Sequence, residues 1–446
     1  MPIDGVLAAG RAWVAPLALD TVADPIARRA ALDYREADAA ATALMPDKRA
    51  LARLFDPPAM MRAAALCHCS RSGSLLLASY FDGHPDVVTL PLLCGEHLYR
   101  FYDEYAQVSL WEQLLVFPTF AATVNSLEAD LFQTVAPADY YAAVRALQEC
   151  HGERPGAEGG RRRQFFQFVH AAFAVACGRA PANAAPLMLY AQHWRDQSLA
   201  RRFVEDFPQG KFVHTIRDPI TSIDSWFDRT TDLHLAEDGG HPELSAQYLN
   251  PAASAILSFL EWDRPHTGFA ATSRAVRFED MHLAPEALMR RLANWLGIEF
   301  APILLQSTWN NRPYVVKSGG VSWCGPNPAN ARRRSRNFNG ADRLLMFALL
   351  HENFSRWNYD SPRAMRWLPV RLATIALLWV VPTSLEQRNA RLVWQRQAVP
   401  AWRLGRRRFA CGAAPFLVLR RLRIMTGVAV EFMARLAGRR RVLEPL

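Results

Sequence analysis

The stretch from Ala63 to Pro85 restricts the fold more than any other part of the chain. It opens with a small apolar run, Ala63 to Cys69, of strand length. Ser70-Arg71-Ser72-Gly73-Ser74 then interrupts the pattern. Leu75 to Phe81 is again apolar, and Gly83 with Pro85 reads as a helix stop. The order predicts a buried strand, a short Gly/Ser turn and a helix. Such a turn brings backbone N–H groups together at the positive end of the helix dipole, where an anion binds. Ser72 and Ser74 add hydroxyls, and Arg71 adds a planar cation suited to phosphate or sulfate oxygens. The Gly-Lys-Ser/Thr ending of a nucleotide triphosphatase loop is missing, since no Lys follows Gly73.

A second strand-turn-helix signal lies farther on, within residues 192–229. Ser198 to Phe207 reads as a short amphipathic helix, and Pro208-Gln209-Gly210 as a turn. Lys211 to Ile216 follows as a strand closed by Arg217-Asp218-Pro219. Asp218 has the chemistry of an N-cap and Pro219 that of a first helical residue. Ser225 then falls two helical turns from the start. Arg217, by its fork, and Ser225, by its hydroxyl, can converge on one small dianion.

Charge separates the tail from the body. The chain has 446 residues and a formal charge of +10. Residues 362–446 hold 17 Arg, no Lys and three acids (Glu386, Glu431, Glu444), a formal +14, which leaves −4 for the rest. The seven Cys (67, 69, 94, 150, 177, 324 and 411) are odd in number and irregular in spacing. They favour a reducing, cytoplasmic setting over a disulfide framework. Cys67-His68-Cys69, in a strand, would point its Cys to one face and its His to the other, which suits core packing better than a metal. The first twenty residues lack a basic start with a long apolar run, so no secretory signal is expected. Leu372 to Leu385 is uncharged for only 14 residues, short of the ~20 that span a bilayer.

Along the chain, residues 23–60 read as a helical lead-in capped at Asp24-Pro25. Helical pattern covers about 107–150, an exposed Gly/Arg loop 152–163, and helix again 164–180. Residues 228–250 read as a surface loop or lid, 252–263 as helix, and 274–281 as a strand with a turn. Residues 285–300 read as a helix stopped by Gly297, 309–335 as turn-rich, and 343–360 as helix. The expected organisation is a lead-in, 1–60; an α/β domain, 61–361, with a helical insertion at about 101–185; and a basic amphipathic extension, 362–446. The expected fold class is α/β, a central mostly parallel sheet flanked by helices.

In combination these motifs resemble the PAPS-dependent sulfotransferases. Ser70 to Leu76 is similar to that family's loop for the 5′-phosphosulfate. FVHTIRDPITSIDSW (212–226), with Arg217 and Ser225 eight residues apart, is similar to its 3′-phosphate motif. Residues 276–300 resemble the downstream strand and helix, and NNRPYVVKSGG (310–320) the late loop that closes over the nucleotide. Two departures stand out: Arg71 occupies a position where many members have Lys, and Ala191-Gln192-His193 lacks a Lys that often precedes the His.

The resemblance implies sulfuryl transfer from PAPS to a hydroxyl, with no metal required. Ser70, Arg71, Ser72, Gly73, Ser74 and Leu75 would hold the phosphosulfate, Arg71 also acting on the leaving group. Arg217 and Ser225 would hold the 3′-phosphate, and Lys317, Ser318 and Gly319 would close over the nucleotide. Two residues compete as general base: His193, 24 residues before Arg217, and Glu96, 25 residues after Arg71. A His needs little tuning, whereas Glu96 would need burial. Arg332-Arg333-Arg334 is either a phosphate contact or a solvated basic run.

The tail mixes apolar stretches with Arg and interfacial Trp, as in helices that lie on an anionic leaflet. The alternative is a helical pair packed back on the domain. The stretches are too apolar for a nucleic-acid arm. The expected acceptor is a glycan, a glycolipid or another lipid-linked hydroxyl, and the expected location is cytoplasmic, peripheral on a membrane. The rival readings are a P-loop kinase-like phosphotransferase and an inactive, membrane-associated member of the same fold.

Overall fold

The computed structural model describes residues 24–55, 62–68, 72–90, 97–124, 135–152, 158–183, 185–193, 197–225, 269–310, 312–318, 321–332, 335, 338, 340–381, 387, 422–423, 425–430, 432–437 and 444–446. The fold is α/β, with a central parallel sheet of five strands flanked by helices. The strands are β1 (Arg62–His68), β2 (Val87–Thr89), β3 (Leu187–His193), β4 (Lys211–Ile216) and β5 (Ser273–Arg277). Their order is β2-β3-β1-β4-β5. From β1 the chain runs to β2 and β3 on one side, then returns to β4 on the other. The boundary between β1 and β4 is therefore a topological switch point. In parallel sheets, ligand crevices open there, beyond the carboxyl ends of the strands. β1 and β4 are the strands that lead into the two turns singled out in the sequence.

Two compact units divide the chain: residues 1–67, 74–213 and 284–327 in the first, and 68–73, 214–283 and 328–446 in the second. In the first unit, helix Pro25–Ala52 starts as expected, with Asp24 Oδ1 accepting from the Ile26 N–H at 2.8 Å. Tyr34 of that helix meets Tyr141 of helix Pro137–His151 edge-on, with centroids 4.7 Å apart. Helix Pro285–Leu296 ends at Gly297, whose φ of +76° is a left-handed cap.

The Gly/Arg stretch departs from its expected exposed loop. Helix Glu158–Ala176 begins inside it. Arg162 donates to the buried Asp206 carboxylate at 2.7 Å, and Arg161 donates to the carbonyl of Val108. These fixed arginines offset the low helix propensity of Gly159 and Gly160. The late turn-rich segment forms small antiparallel hairpins. β6 (Thr308–Trp309) pairs with β7 (Arg312–Pro313), and β8 (Val315–Ser318) with β9 (Val321–Cys324). Residues 252–263, expected to be helical, and the expected lid at 228–250 lie outside the described residues.

In the second unit, RAVRFEDM resolves into strand β5 and helix Phe278–Leu283. Residues 343–360 form two helices, Gly340–Leu349 and His351–Arg356. The tail packs against them. Ile375, Met425, Val428 and Phe432 are buried in one apolar cluster with Ile220, Leu349 and Phe354. Arg371 of helix Leu368–Val380 is buried too, donating to the Ala348 carbonyl at 3.0 Å and to Glu352 at 2.6 Å. Residues 444–446 lie along β5: the Ala275 N–H donates to the Glu444 carbonyl, and the Leu446 N–H to the Ala275 carbonyl.

Candidate active site

The first turn depends on its glycine. Gly73 has φ +89°, a conformation that costs any residue with a side chain. A Cβ there would also stand 2.4 Å from Cδ2 of Phe278 and 2.9 Å from the Met281 methyl carbon. Beside it, the buried Ser72 hydroxyl lies 2.6 Å from that of Thr215 on β4. Ser74, buried, is the first residue of helix Ser74–Phe81, and Leu75 is half-buried.

The second turn follows β4 directly. Asp218 caps the helix formed by residues 219–225. Its Oδ1 accepts from the Thr221 N–H at 2.8 Å, and its carbonyl from the Ser222 N–H at 2.8 Å. Burial pushes the Asp218 carboxyl up, against the bonds from Thr221 and the charge of Arg217. Pro219 is the first helical residue, as its fixed φ favours, and Ser225 is half-buried two turns in. Arg217 is only 7% exposed, and its guanidinium carbon lies 4.3 Å from the centroid of the Phe278 ring. Phe278 thus borders both turns.

Residues around that ring were not legible as site residues. Glu279 is buried; its Oε1 accepts from the Asp218 N–H at 3.0 Å and its Oε2 from the Tyr359 hydroxyl at 2.7 Å. Burial pushes its carboxyl up, opposed by these two bonds. Arg277 lies over the Tyr359 ring, 4.7 Å from its centroid. His282 meets Phe278 edge-on at 4.4 Å, and Asn330 Nδ2 approaches its Nε2 at 3.4 Å. Burial and then the Arg217 charge lower the His282 pKa to about 4, so it is neutral near pH 7. The trace in the sequence is the acidic pair Glu279-Asp280 one residue after strand SRAVR, which does not by itself mark a site.

The other expected residues are placed less fully. Ser70, Arg71, Glu96 and Gly319 lie outside the described residues. His193 is the last residue of β3, and Lys317 and Ser318 belong to β8; the side chains of all three lie outside what is described. Cys67 is buried in β1, and burial pushes its thiol up. Among the described residues no cluster of His, Cys, Asp or Glu is arranged to hold a metal ion.

The fold is that of an α/β protein in which a turn bearing Gly73 and a turn bearing Arg217 follow neighbouring strands at a switch point. Residues 67–302 match the family model described as the Sulfotransferase family, and the chain belongs to that family. Comparison with curated protein sequences gives no match. Among solved structures, the chain is similar to the sulfotransferase domain from the curacin biosynthetic pathway, at 17% identity. That match covers 68% of this chain and 99% of the other, with a TM-score of 0.36. It is also similar to a sulfotransferase from Mycobacterium avium, at 14% identity over 79% of this chain and 93% of the other, with a TM-score of 0.33.

Proposed function

We propose that the protein transfers a sulfuryl group from PAPS to a hydroxyl, releasing adenosine 3′,5′-bisphosphate. The observation that carries this reading is the shared ring. Gly73 and Arg217 both abut Phe278, so two anion-holding turns stand within one side chain of each other. A 3′-phosphate taken by Arg217 and Ser225, and a 5′-phosphosulfate taken by the Ser70–Leu75 turn, can then belong to one nucleotide. In the reaction the acceptor oxygen forms a bond to sulfur while the bond from sulfur to the 5′-phosphate oxygen breaks. The hydroxyl proton passes to a base, His193 or Glu96, and Arg71 and the turn's N–H groups take the charge that grows on the leaving phosphate. Lys317, Ser318 and Gly319 would close over the bound nucleotide. No step in this scheme calls for a metal.

Calorimetric titration with adenosine 3′,5′-bisphosphate and with 5′-AMP tests the reading. Wild type should prefer the bisphosphate, and Arg217→Ala should weaken it by about tenfold or more, the worth of one charge-assisted contact. Equal affinity of wild type for the two nucleotides would reject the assignment. His193→Ala and Glu96→Gln then separate the bases: the one that acts loses turnover while keeping nucleotide affinity.

The acceptor we infer is a glycan, glycolipid or other lipid-linked hydroxyl, met at an anionic membrane surface. No helix among the described residues is long and apolar enough to cross a membrane. What supports a peripheral position is the outer side of the tail. Trp367 is 70% exposed and Val430 64%, and Leu368, Val370, Leu372, Leu377, Leu422 and Met433 are exposed too. The tail's formal charge of +14 complements anionic headgroups, although Arg371 and Arg435 are themselves buried. Flotation with phosphatidylserine vesicles should capture the full chain at low salt and release it at high salt. Failure to float would leave sulfuryl transfer standing and remove the membrane.

A further inference from the structure

Phe278 and Glu279 are consecutive, and between them they hold both ends of Arg217. The Phe278 ring lies under the guanidinium at 4.3 Å, a cation–π distance. Glu279 Oε1 accepts from the N–H of Asp218 at 3.0 Å. That N–H belongs to the peptide that also contains the Arg217 carbonyl, so gripping it anchors the backbone on one side of the Arg217 Cα, as β4 anchors it on the other. The same peptide precedes the Asp218 cap, from which the helix bearing Ser225 starts. Glu279 is itself held by the Tyr359 hydroxyl at 2.7 Å. Tyr359 is fixed in turn, with Arg277 over its ring and Ile216, Ala275 and Trp357 packed beside it. The edge of the Phe278 ring also limits how near Gly73 can come.

We propose that Phe278 and Glu279, anchored by Tyr359, are positioning residues that set recognition of the nucleotide's 3′-phosphate, without touching that phosphate themselves. The proposal rests on the function argued above, and the group recognised is a phosphate monoester on the ribose, whatever the acceptor. Residue 279 has to supply an acceptor oxygen to the Asp218 N–H, and the second carboxylate oxygen serves the Tyr359 hydroxyl on the other side. Glutamine retains an oxygen for the Asp218 N–H, whereas alanine leaves that N–H buried without its acceptor. The backbone torsion of Arg217 then relaxes, and the fork no longer waits in register for the phosphate.

The test compares two ligands on the full chain by calorimetry: adenosine 3′,5′-bisphosphate and 5′-AMP, which lacks the 3′-phosphate. Glu279→Ala should weaken the bisphosphate by about tenfold while changing 5′-AMP by less than about threefold. Glu279→Gln should recover most of the loss. Phe278→Leu, which keeps bulk but removes the π face, and Tyr359→Phe, which removes only a hydroxyl, should each lower the preference for the bisphosphate by about threefold. These two variants keep the question open to measurement if Glu279→Ala does not fold. A loss shared equally by both ligands means a merely structural role and overturns the proposal, as does Glu279→Gln behaving like Glu279→Ala. A wild type with no preference for the bisphosphate overturns the functional reading instead, and this inference with it.

Discussion

The corner where the two turns meet Phe278 and the C-terminal tail belong to one compact unit yet solve opposite problems. At the corner, charged groups are buried: Arg217 and Glu279 are both under 8% exposed. In the tail, apolar groups face outward, from Trp367 to Met433. The corner pairs its polar groups by short hydrogen bonds and a cation–π contact, because an unpaired buried charge would be costly. Among the described residues, the tail helices pack by one side. Ile375, Met425, Val428 and Phe432 go inward, while Leu377 and Val430 do not. A soluble packing role needs the inner side alone. An outer side of the same chemistry calls for a second apolar surface, and the membrane fills that role in the function proposed here.

The largest effect should come from breaking the tail's inner side. Phe432→Ala removes a buried ring that also lies under Arg371, 5.0 Å from its guanidinium. It should lower unfolding free energy by about 3–5 kcal/mol in denaturant titration. If it costs less than about 1 kcal/mol, the tail is not part of the unit's cooperative core. Gly73→Ala comes next. Left-handed strain and the clash with Phe278 together should cost about 2–4 kcal/mol and abolish nucleotide binding, so an alanine variant with wild-type affinity refutes the account of this turn.

Acid should distinguish the two regions. Burial lowers the His214 pKa to about 3, below its ordinary value of 6.5. A histidine kept neutral by the fold adds nothing to the pH dependence above 6.5, where it is neutral in both states. Between 6.5 and 3 the unfolded chain takes up the proton and the folded one does not, so stability falls as pH falls. The slope from this one group is up to about 1.4 kcal/mol per pH unit. His214→Asn should flatten the stability profile over that window. The tail, 362–446, contains no His of its own, although His351, whose pKa burial also lowers, faces its Arg371, so hydrogen exchange at pH 4.5 should show β4 loosening more than the buried side of the tail helices. Equal acceleration in both regions would erase the distinction.

The smallest effect is expected outside. Leu377→Ser with Val430→Ser should shift stability by no more than about 0.5 kcal/mol, as exposed positions do. The same pair should still reduce vesicle flotation. If it destabilises the protein as strongly as Phe432→Ala, these residues pack inward and the proposed membrane face is lost.

How far the sequence led differs from element to element. Asp218 as cap, Pro219 as first helical residue and Gly297 as stop were all legible, because each rests on contacts within four residues. The Gly/Arg loop was misread, because what holds it helical is Asp206, 44 residues from Arg162. For the tail the sequence allowed either packing or a membrane, and the inner side packs. Glu279 could not be seen as a site residue, because its two partners lie 61 and 80 residues away.

The sequence by itself determined the two turns: the glycine at 73, the arginine at the end of β4, and the cap and proline that start the helix behind it. Backbone torsion and capping are local, so residue type at a few adjacent positions suffices. Only the tertiary structure decided that one phenylalanine ring borders both turns and that a tyrosine from residue 359 steadies the carboxylate beside it. Such contacts depend on which strands become neighbours in the sheet, and that follows from burying the whole core at once rather than from any short run of residues.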